Sequence, residues 1–126
     1  RNSKGIVAHI DTMAFVAAEA AYRSAIEWKS ELVEYLKTNK SLLSKSLNDI
    51  EGLSLCGPEA GFLAWIDCRQ SGLDSPVKFF VEEAKVGVHG GEFFGNEKYV
   101  RLNFGCPRSI LEEAISRIEK AFSQRK

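Results

Sequence analysis

The sequence contains few of the residues that form metal sites and disulfide frameworks. Its 126 residues include only three cysteines and two histidines. Cys56, Cys68 and Cys106 have spacings that fit neither a zinc-binding pair nor a disulfide scaffold. We therefore predict no metal site. Three scattered thiols favour a reducing compartment, so the expected location is the cytoplasm.

Neither sign of charge is in excess, and long apolar runs are missing. The 17 Lys and Arg residues balance 17 Asp and Glu residues, whereas a nucleic-acid-binding protein needs a basic surplus to neutralise phosphates. The longest wholly apolar stretches have about six residues, far fewer than the roughly 20 that span a bilayer. Nucleic acid and membrane are therefore not expected partners. The length and the apolar content of 44% fit one packed domain.

Two helices are predicted in the N-terminal part of the chain. Alanine and other strong helix formers dominate from about Thr12 onward. A second helix is expected next, because apolar residues recur at steps of three and four and so share one face. These residues are Trp28, Leu32, Tyr35, Leu36, Leu43, Leu47 and Ile50. Gly52 is placed to end this helix.

Shorter elements are predicted after Gly52. Residues 53–56 and 62–66 are typical of strands, and the second is apolar on both faces, so we expect a central strand covered on both sides. Asp74 or Ser75 is expected to cap a helix with Pro76 in its first turn. The residues expected to be buried in that helix are Val77, Phe80, Val81 and Ala84.

The last third of the chain predicts two strands and a helix. Residues 86–88 are expected to form a short strand, and residues 99–104 alternate as a strand does. Ser109 and Glu112 have the spacing of a capping box. The buried side of this last helix is expected to comprise Ile110, Leu111, Ala114, Ile115, Ile118 and Phe122. This order of elements predicts an α+β fold, a two-layer sandwich in which helices cover a small mixed or antiparallel sheet.

Arg101 is the strongest candidate for a binding residue. Val100 and Leu102 are expected to face the core, so the alternation turns Arg101 to the opposite face beside Tyr99 and Asn103. A guanidinium held among hydrogen-bonding neighbours can bind a carboxylate through two bonds. The alternative is a solvent-facing arginine on an outer sheet face, and the pattern alone leaves both interpretations open.

The other candidate residues favour ordinary structural roles. The two histidines are His9, in a weakly patterned stretch, and His89, in a glycine-rich loop, and the sequence alone brings neither of them to Cys68 or Cys106. The stretch Gly90-Gly91 lacks the pattern of a phosphate-binding loop, and a turn where the backbone comes close to another group is the favoured interpretation.

Several segments resemble one enzyme family across nearly the whole chain. Residues 99–109 (YVRLNFGCPRS) closely resemble the C-terminal motif of class I/II aminotransferase-like enzymes, which are fold type I enzymes dependent on pyridoxal 5′-phosphate (PLP). The best match is the branch of the cystathionine β-lyase, or maltose-regulon-modulator, C–S lyases. Residues 18–23 (AEAAYR) with Glu27-Trp28, residues 61–69 (GFLAWIDCR), and residues 85–88 (KVGV) with Gly91 and Phe94-Gly95 resemble the same branch.

This resemblance implies a role for each candidate residue. The counterpart of Arg101 binds the α-carboxylate of the amino-acid substrate, and Tyr99, Asn103, Gly90 and Gly91 are expected to support or cover the cleft. The family's loop more often carries Ser or Pro where this chain has His89-Gly90, so the resemblance does not specify the substrate.

The resemblance also implies that part of the enzyme lies outside this sequence. Residues 1–126 are expected to be one C-terminal small domain, which agrees with a start at Arg1 rather than Met. The lysine that binds PLP is expected in an upstream large domain, because Lys4, although it follows Ser3, lies only ten residues before Ala14. No catalytic lysine is therefore expected in this chain, which alone is expected to be inactive and not to hold PLP stably. The complete enzyme is expected to be a homodimer.

The expected function is that of an aminotransferase or a C–S β-lyase acting on amino acids. The alternative is a free-standing, non-catalytic binding or interaction module with the same fold. The first interpretation predicts exposed apolar side chains on the first helices, where a large domain would pack.

Overall fold

A computed structural model describes residues 11–125 of the chain. Ser3, Lys4 and His9, to which some of the predictions refer, lie outside these residues. The chain divides into two compact units between Glu34 and Tyr35. None of the helices formed by residues 11–125 combines the length and the hydropathy that a bilayer span requires.

The described part of the first unit is helical, as predicted. Helix α1 spans Thr12–Ser24, and the Asp11 carboxylate caps it by accepting a hydrogen bond of 2.8 Å from the backbone N–H of Met13. Helix α2 spans Ile26–Asn48 and begins in this unit. The predicted exposure of apolar side chains is confirmed, and the most exposed are Met13, Phe15, Val16, Tyr22, Ile26 and Trp28.

The second unit contains the sheet and its core. Strands β1 (Ser54–Cys56), β2 (Leu63–Asp67), β3 (His89–Gly90) and β4 (Tyr99–Asn103) are arranged in the order β1-β2-β4-β3. Every neighbouring pair is antiparallel. The predicted α+β fold is therefore confirmed, with an antiparallel rather than a mixed sheet.

One face of this sheet packs against helices. Alternate strand residues point to this core face and are fully or almost fully buried: Ala64, Ile66, Val100 and Leu102. They share one core with Leu43 and Leu47 of α2 and with residues of helix α4, which spans Arg108–Ser123. Gly52 ends the turn after α2 with a φ of +85°, and a Cβ there would lie 2.5 Å from the carbonyl oxygen of Gln70.

The expectation that β2 is covered on both sides is wrong for the described residues. The strand is central, but only alternate residues are buried, and Leu63 stays 39% exposed. The helices that close the core lie against one face only. The apolar residues on the other face instead belong to the outer face described below.

The helix predicted at Pro76 forms, but with a different buried side. Helix α3 spans Pro76–Lys78, with Ser75 at the N-cap position, and continues as a π-helical segment over Phe79–Glu83. The Ala84 N–H bonds to the Phe79 carbonyl at 3.0 Å, and this wider turn shifts which residues face the core. Phe79, Phe80 and Ala84 are buried, whereas Val81 is exposed, contrary to prediction.

Two further local predictions are wrong. Residues 86–88 do not pair as a strand, since the Val86 N–H bonds to the Phe80 carbonyl at 2.8 Å and pairing starts at His89. Helix α4 has Pro107 at its N-cap position, so Ser109 lies inside the first turn and no capping box forms. Of its predicted buried side, Leu111, Ile115 and Ile118 are buried and Ala114 and Phe122 partly so, whereas Ile110 is exposed.

Candidate functional site

The face of the sheet opposite the core carries polar and aromatic side chains. The strand register places Trp65 of β2 directly opposite Arg101 of β4, and Arg101 opposite His89 of β3. Asp67 is opposite Tyr99 in the same pairing. Because side chains two residues apart share a face, these five residues lie together on what we call the outer face.

Arg101 has an unsatisfied hydrogen-bond donor in the middle of the outer face. The side chain is half-buried, and its Nε is shielded from solvent without a hydrogen-bond partner among the described residues. A buried donor without an acceptor is unfavourable by about 1–3 kcal/mol. An acceptor from outside the described residues would remove this cost, so Arg101 differs from a surface arginine whose donors face water.

Three aromatic rings in contact with one another, of which Phe94 contacts this arginine, form what we call the aromatic cluster. The Arg101 guanidinium lies 5.0 Å from the centroid of the Phe94 ring, within the range of a cation–π contact. Phe94 meets Trp65 edge to face at 5.4 Å, and Trp65 stacks on Tyr99 at 5.4 Å. Of these three rings, only Tyr99 was predicted from the sequence. Trp65 was expected in a covered central strand, and Phe94 was noted only as part of a loop motif.

Tyr99 is anchored at the far end of the cluster by Asp67. Its hydroxyl donates to the Asp67 carboxylate at 3.0 Å, and the Arg69 guanidinium binds the same carboxylate at 2.8–3.1 Å. The hydrogen bonds from Arg69 lower the pKa of Asp67 to about 2. Burial and the bond to Asp67 raise the pKa of Tyr99. The Tyr99 ring is thus held in place, and Nε and Nη2 of Arg69 are bonded to Asp67.

The segment between β3 and β4 brings Phe94 to this cluster. Gly91–Phe94 forms a 3-10 turn that ends at Gly95 in the left-handed conformation, with a φ of +84°. A Cβ on Gly91 would collide with backbone carbonyl oxygens, including that of Tyr99 at 2.7 Å. Gly91 therefore allows the turn to lie against the start of β4. Gly90 is buried on the core side, opposite Val100.

Asn103 lies at the end of β4 and organises the loop that follows. Its side-chain oxygen accepts a hydrogen bond of 2.8 Å from the Gly105 N–H, and the residue is exposed. Leu63, its partner in β2, is on the same face. Asn103 is therefore near Arg101 on β4, but in this structure its oxygen stabilises a turn.

Asn39 fixes the loop after β4 and was missed by the sequence interpretation. It is completely buried, and its Nδ2 donates to the carbonyl oxygens of Phe104 and Cys106 at 3.1 and 3.0 Å. Its Oδ1 accepts from Nε of Arg108 at 3.2 Å. The signal was present, since Asn39, Leu43 and Leu47 follow one another at four-residue steps and a polar residue among buried leucines needs partners.

The remaining candidate residues are His89, opposite Arg101 on the outer face, and the cysteines. His89 is exposed on the edge strand, and Cys56 is exposed as well. Cys68 is buried, and burial raises the pKa of its thiol to about 12, which keeps it protonated and unreactive. Across residues 11–125, no group of three or more His, Cys, Asp and Glu side chains could hold a metal ion.

Comparison with known proteins identifies the family. The family model "Aminotransferase class I and II" matches residues 3–118. Protein MalY of Escherichia coli K12 is 35% identical over 109 residues, which cover 82% of this chain and 28% of that protein.

Solved structures have the same fold. The OvoB structure is 42% identical, with a TM-score of 0.89, and the match covers 95% of this chain and 31% of that one. A proposed PLP-dependent β-cystathionase of Corynebacterium diphtheriae is 38% identical, with a TM-score of 0.88, over 98% of this chain and 34% of that one. The chain thus spans about a third of the length of the relatives it matches. The resemblance inferred from residues 99–109 is confirmed.

Proposed function

The chain belongs to the aminotransferase class I and II family, and from that premise we propose that it is the C-terminal small domain of a PLP-dependent enzyme. The enzyme acts on an amino acid as an aminotransferase or as a C–S β-lyase. Arg101 binds the α-carboxylate of the substrate. The observation that carries this proposal is the buried Nε of Arg101 on the outer face, which has no hydrogen-bond partner among residues 11–125.

A carboxylate supplies what the Arg101 side chain lacks. Two carboxylate oxygens can accept two parallel N–H bonds from a guanidinium, which fixes the orientation of the acid as well as its position. The half-buried surroundings of Arg101 exclude part of the solvent, so this charge-assisted bond is stronger than it would be in water. Tyr99 and Gly91 support this site through the contacts described above, and Gly90 and Asn103 through their places in the strands that carry and flank Arg101.

The described residues fit the substrate side of such a site. When bound, PLP supplies the electron sink that makes a bond to the substrate Cα breakable. By holding the carboxylate, Arg101 orients the Cα–H bond relative to the group that removes the proton, and positioning of this kind can account for several kcal/mol of the barrier. Both candidate reactions need that orientation, so Arg101 serves either one.

The exposed apolar side chains of the first unit are the surface that we assign to the upstream large domain. Met13, Phe15 and Val16 are each more than half exposed on α1, and Trp28 on α2 is 64% exposed. Monomeric proteins rarely leave so many large apolar side chains in contact with water without a partner. The large domain is also where we place the lysine that binds PLP, and the complete enzyme is proposed to be a homodimer.

Substitution of Arg101 in the complete, PLP-loaded protein tests the assignment. We expect Arg101→Ala to raise KM for the amino acid by about 100-fold or more, because a charge-assisted bidentate contact contributes roughly 3 kcal/mol. Bound PLP, followed by its absorbance, should be retained. Arg117→Ala is the matched control, since Arg117 is half exposed and pairs with Glu113. An unchanged KM in Arg101→Ala would refute the role of Arg101.

Two product and labelling assays test the rest of the proposal. Release of pyruvate and ammonia from a cystathionine-like substrate identifies a lyase, whereas a 2-oxo acid that keeps the substrate side chain identifies an aminotransferase. Borohydride treatment of the 126-residue chain with PLP should give no stoichiometric adduct. A stoichiometric adduct on a lysine of this chain would contradict the placement of the cofactor lysine in another domain.

A further inference from the structure

We propose that Phe94 is a positioning residue, which holds the Arg101 guanidinium in the orientation that receives the substrate carboxylate. This inference rests on the proposed function of Arg101. It adds a residue that acts through Arg101 and not through contact with the reacting atoms.

The position of the Phe94 ring is determined from two sides. The 3-10 turn Gly91–Phe94 delivers the ring from the backbone, and Trp65 contacts it edge to face at 5.4 Å. Edge-to-face pairs of this kind are favourable beyond the apolar area that they bury. The ring then lies 5.0 Å from the Arg101 guanidinium carbon. Although Phe94 is 55% exposed, its contacts with Trp65 and Arg101 give the ring a defined place.

An aromatic ring can hold a guanidinium without using its hydrogen-bond donors. Arg69, just after β2, differs from Arg101: its guanidinium also lies 5.4 Å from a ring, that of Tyr99, but the Asp67 carboxylate accepts from both its Nε and its Nη2. A carboxylate beside Arg101 would compete with the substrate in the same way. The face of Phe94 attracts the cation through its quadrupole and leaves Nε unpartnered within the described residues.

If the guanidinium is already ordered before the substrate arrives, less conformational entropy is lost when the carboxylate binds. An arginine side chain has many rotamers, and ordering them at the moment of binding lowers affinity. The expected consequence of losing the ring is therefore weaker binding of the carboxylate, seen in KM and in the affinity for simple carboxylic acids. A cation–π contact at a partly exposed site corresponds to about a two- to five-fold change in affinity.

The test uses the complete, PLP-loaded protein with propionate as the probe, since propionate has a carboxylate and no amine. We measure its Ki as a competitive inhibitor and its Kd by ligand-observed NMR. Phe94→Leu should raise the Ki and the Kd of propionate about two- to five-fold. Phe94→Tyr, which keeps the ring, should give the values of the native protein. The matched control is Phe93→Leu, because Phe93 is adjacent in the chain and 79% exposed; it should leave both constants unchanged.

A fluorination series separates electrostatics from shape. Replacing Phe94 by phenylalanines with one, two and three ring fluorines keeps the ring's form and steadily weakens its quadrupole. The propionate Kd should rise with each fluorine. A Kd that stays constant along the series would overturn the proposal, even if Phe94→Leu proved unstable.

Arg101→Lys, measured in parallel, separates failure of this inference from failure of the proposed function. If Arg101→Lys weakens propionate binding and the Phe94 variants do not, Arg101 binds the carboxylate without help from Phe94, and this inference fails alone. If Arg101→Lys also leaves the propionate Kd unchanged, both proposals are wrong.

Discussion

The replacement of Asn39 by leucine removes the hydrogen bonds that tie helix α2 to the loop after β4. Asn39 is completely buried, and its amide group contacts the carbonyl oxygens of Phe104 and Cys106 as well as Nε of Arg108. Leucine branches at the same carbon as asparagine, but it is larger and offers neither a donor nor an acceptor. Two carbonyl groups and one guanidinium nitrogen would then lose their partner.

The size of the effect follows from these contacts. Each hydrogen bond contributes about 1 kcal/mol net, and the bond from the charged Arg108 somewhat more. The Phe104 carbonyl belongs to a residue that is 1% exposed, so water cannot easily replace the lost donor. Burying a leucine side chain returns about 2 kcal/mol, but fitting its larger volume into a packed core costs a similar amount. We expect the free energy of local unfolding of the loop to fall by about 3 kcal/mol.

Hydrogen exchange, followed by mass spectrometry, measures this loss locally. Backbone amides of residues 104–111 should exchange about 100-fold faster in Asn39→Leu, as expected for a loss of about 3 kcal/mol. Asn48→Leu is the matched control, since Asn48 is an exposed residue of the same helix; it should change exchange little. Protection that is equal in Asn39→Leu and the native protein would refute the inference that Asn39 holds the loop.

Three further predictions concern the backbone and acid stability. Lys85 has a φ of +56°, so Lys85→Gly should stabilise the protein by about 0.5–1 kcal/mol, seen as a higher Tm; a lower Tm would contradict strain at this residue. Gly91→Ala should destabilise it by about 2 kcal/mol because the new methyl collides with backbone oxygens, whereas Gly87→Ala, in open space, should be nearly neutral. The folded-state pKa of Asp67 is lowered from 3.8 to about 2, so the stabilisation by its bonds with Arg69 is present above about pH 4 and is lost as the pH falls toward about 2. Asp67→Asn should therefore be less stable than the native protein by about 1 kcal/mol at pH 6, and the difference in Tm should shrink between pH 5 and pH 2; a constant difference would refute the assignment.

Patterns that depend on near neighbours in the sequence predicted much of the fold. The alternation over residues 99–104 placed Val100 and Leu102 in the core and Arg101 on the other face, as observed. This works because successive side chains of a strand point to opposite faces, so the position of a residue along the strand determines its face. The helical repeat of α2 was equally informative, since its buried leucines recur at steps of four.

Features that depend on distant partners were not predicted. Helix α4 starts without the predicted capping box because the hydroxyl of Tyr35, 73 residues away, accepts from the Arg108 N–H at 2.6 Å. The π-helical segment after Pro76 moved Val81 to the surface, and no local pattern marks that extra residue in the turn. The same holds for Phe94, whose contacts with Trp65 and Arg101 exist only once β2 and β4 have paired.

The two faces of the sheet have different roles: the core face stabilises the fold, and the outer face carries the residue proposed to bind the substrate. Residues of the core face are buried against helices, whereas Arg101 keeps a shielded donor that contributes nothing to the folded chain by itself. A donor left unpaired lowers stability, and a ligand that pairs with it only in the folded state returns that free energy as binding. In the complete enzyme, this predicts that a carboxylate ligand raises Tm through Arg101. The same reasoning explains why the group beside Arg101 is a ring rather than an acid: an internal carboxylate would stabilise the fold and weaken the affinity for substrate.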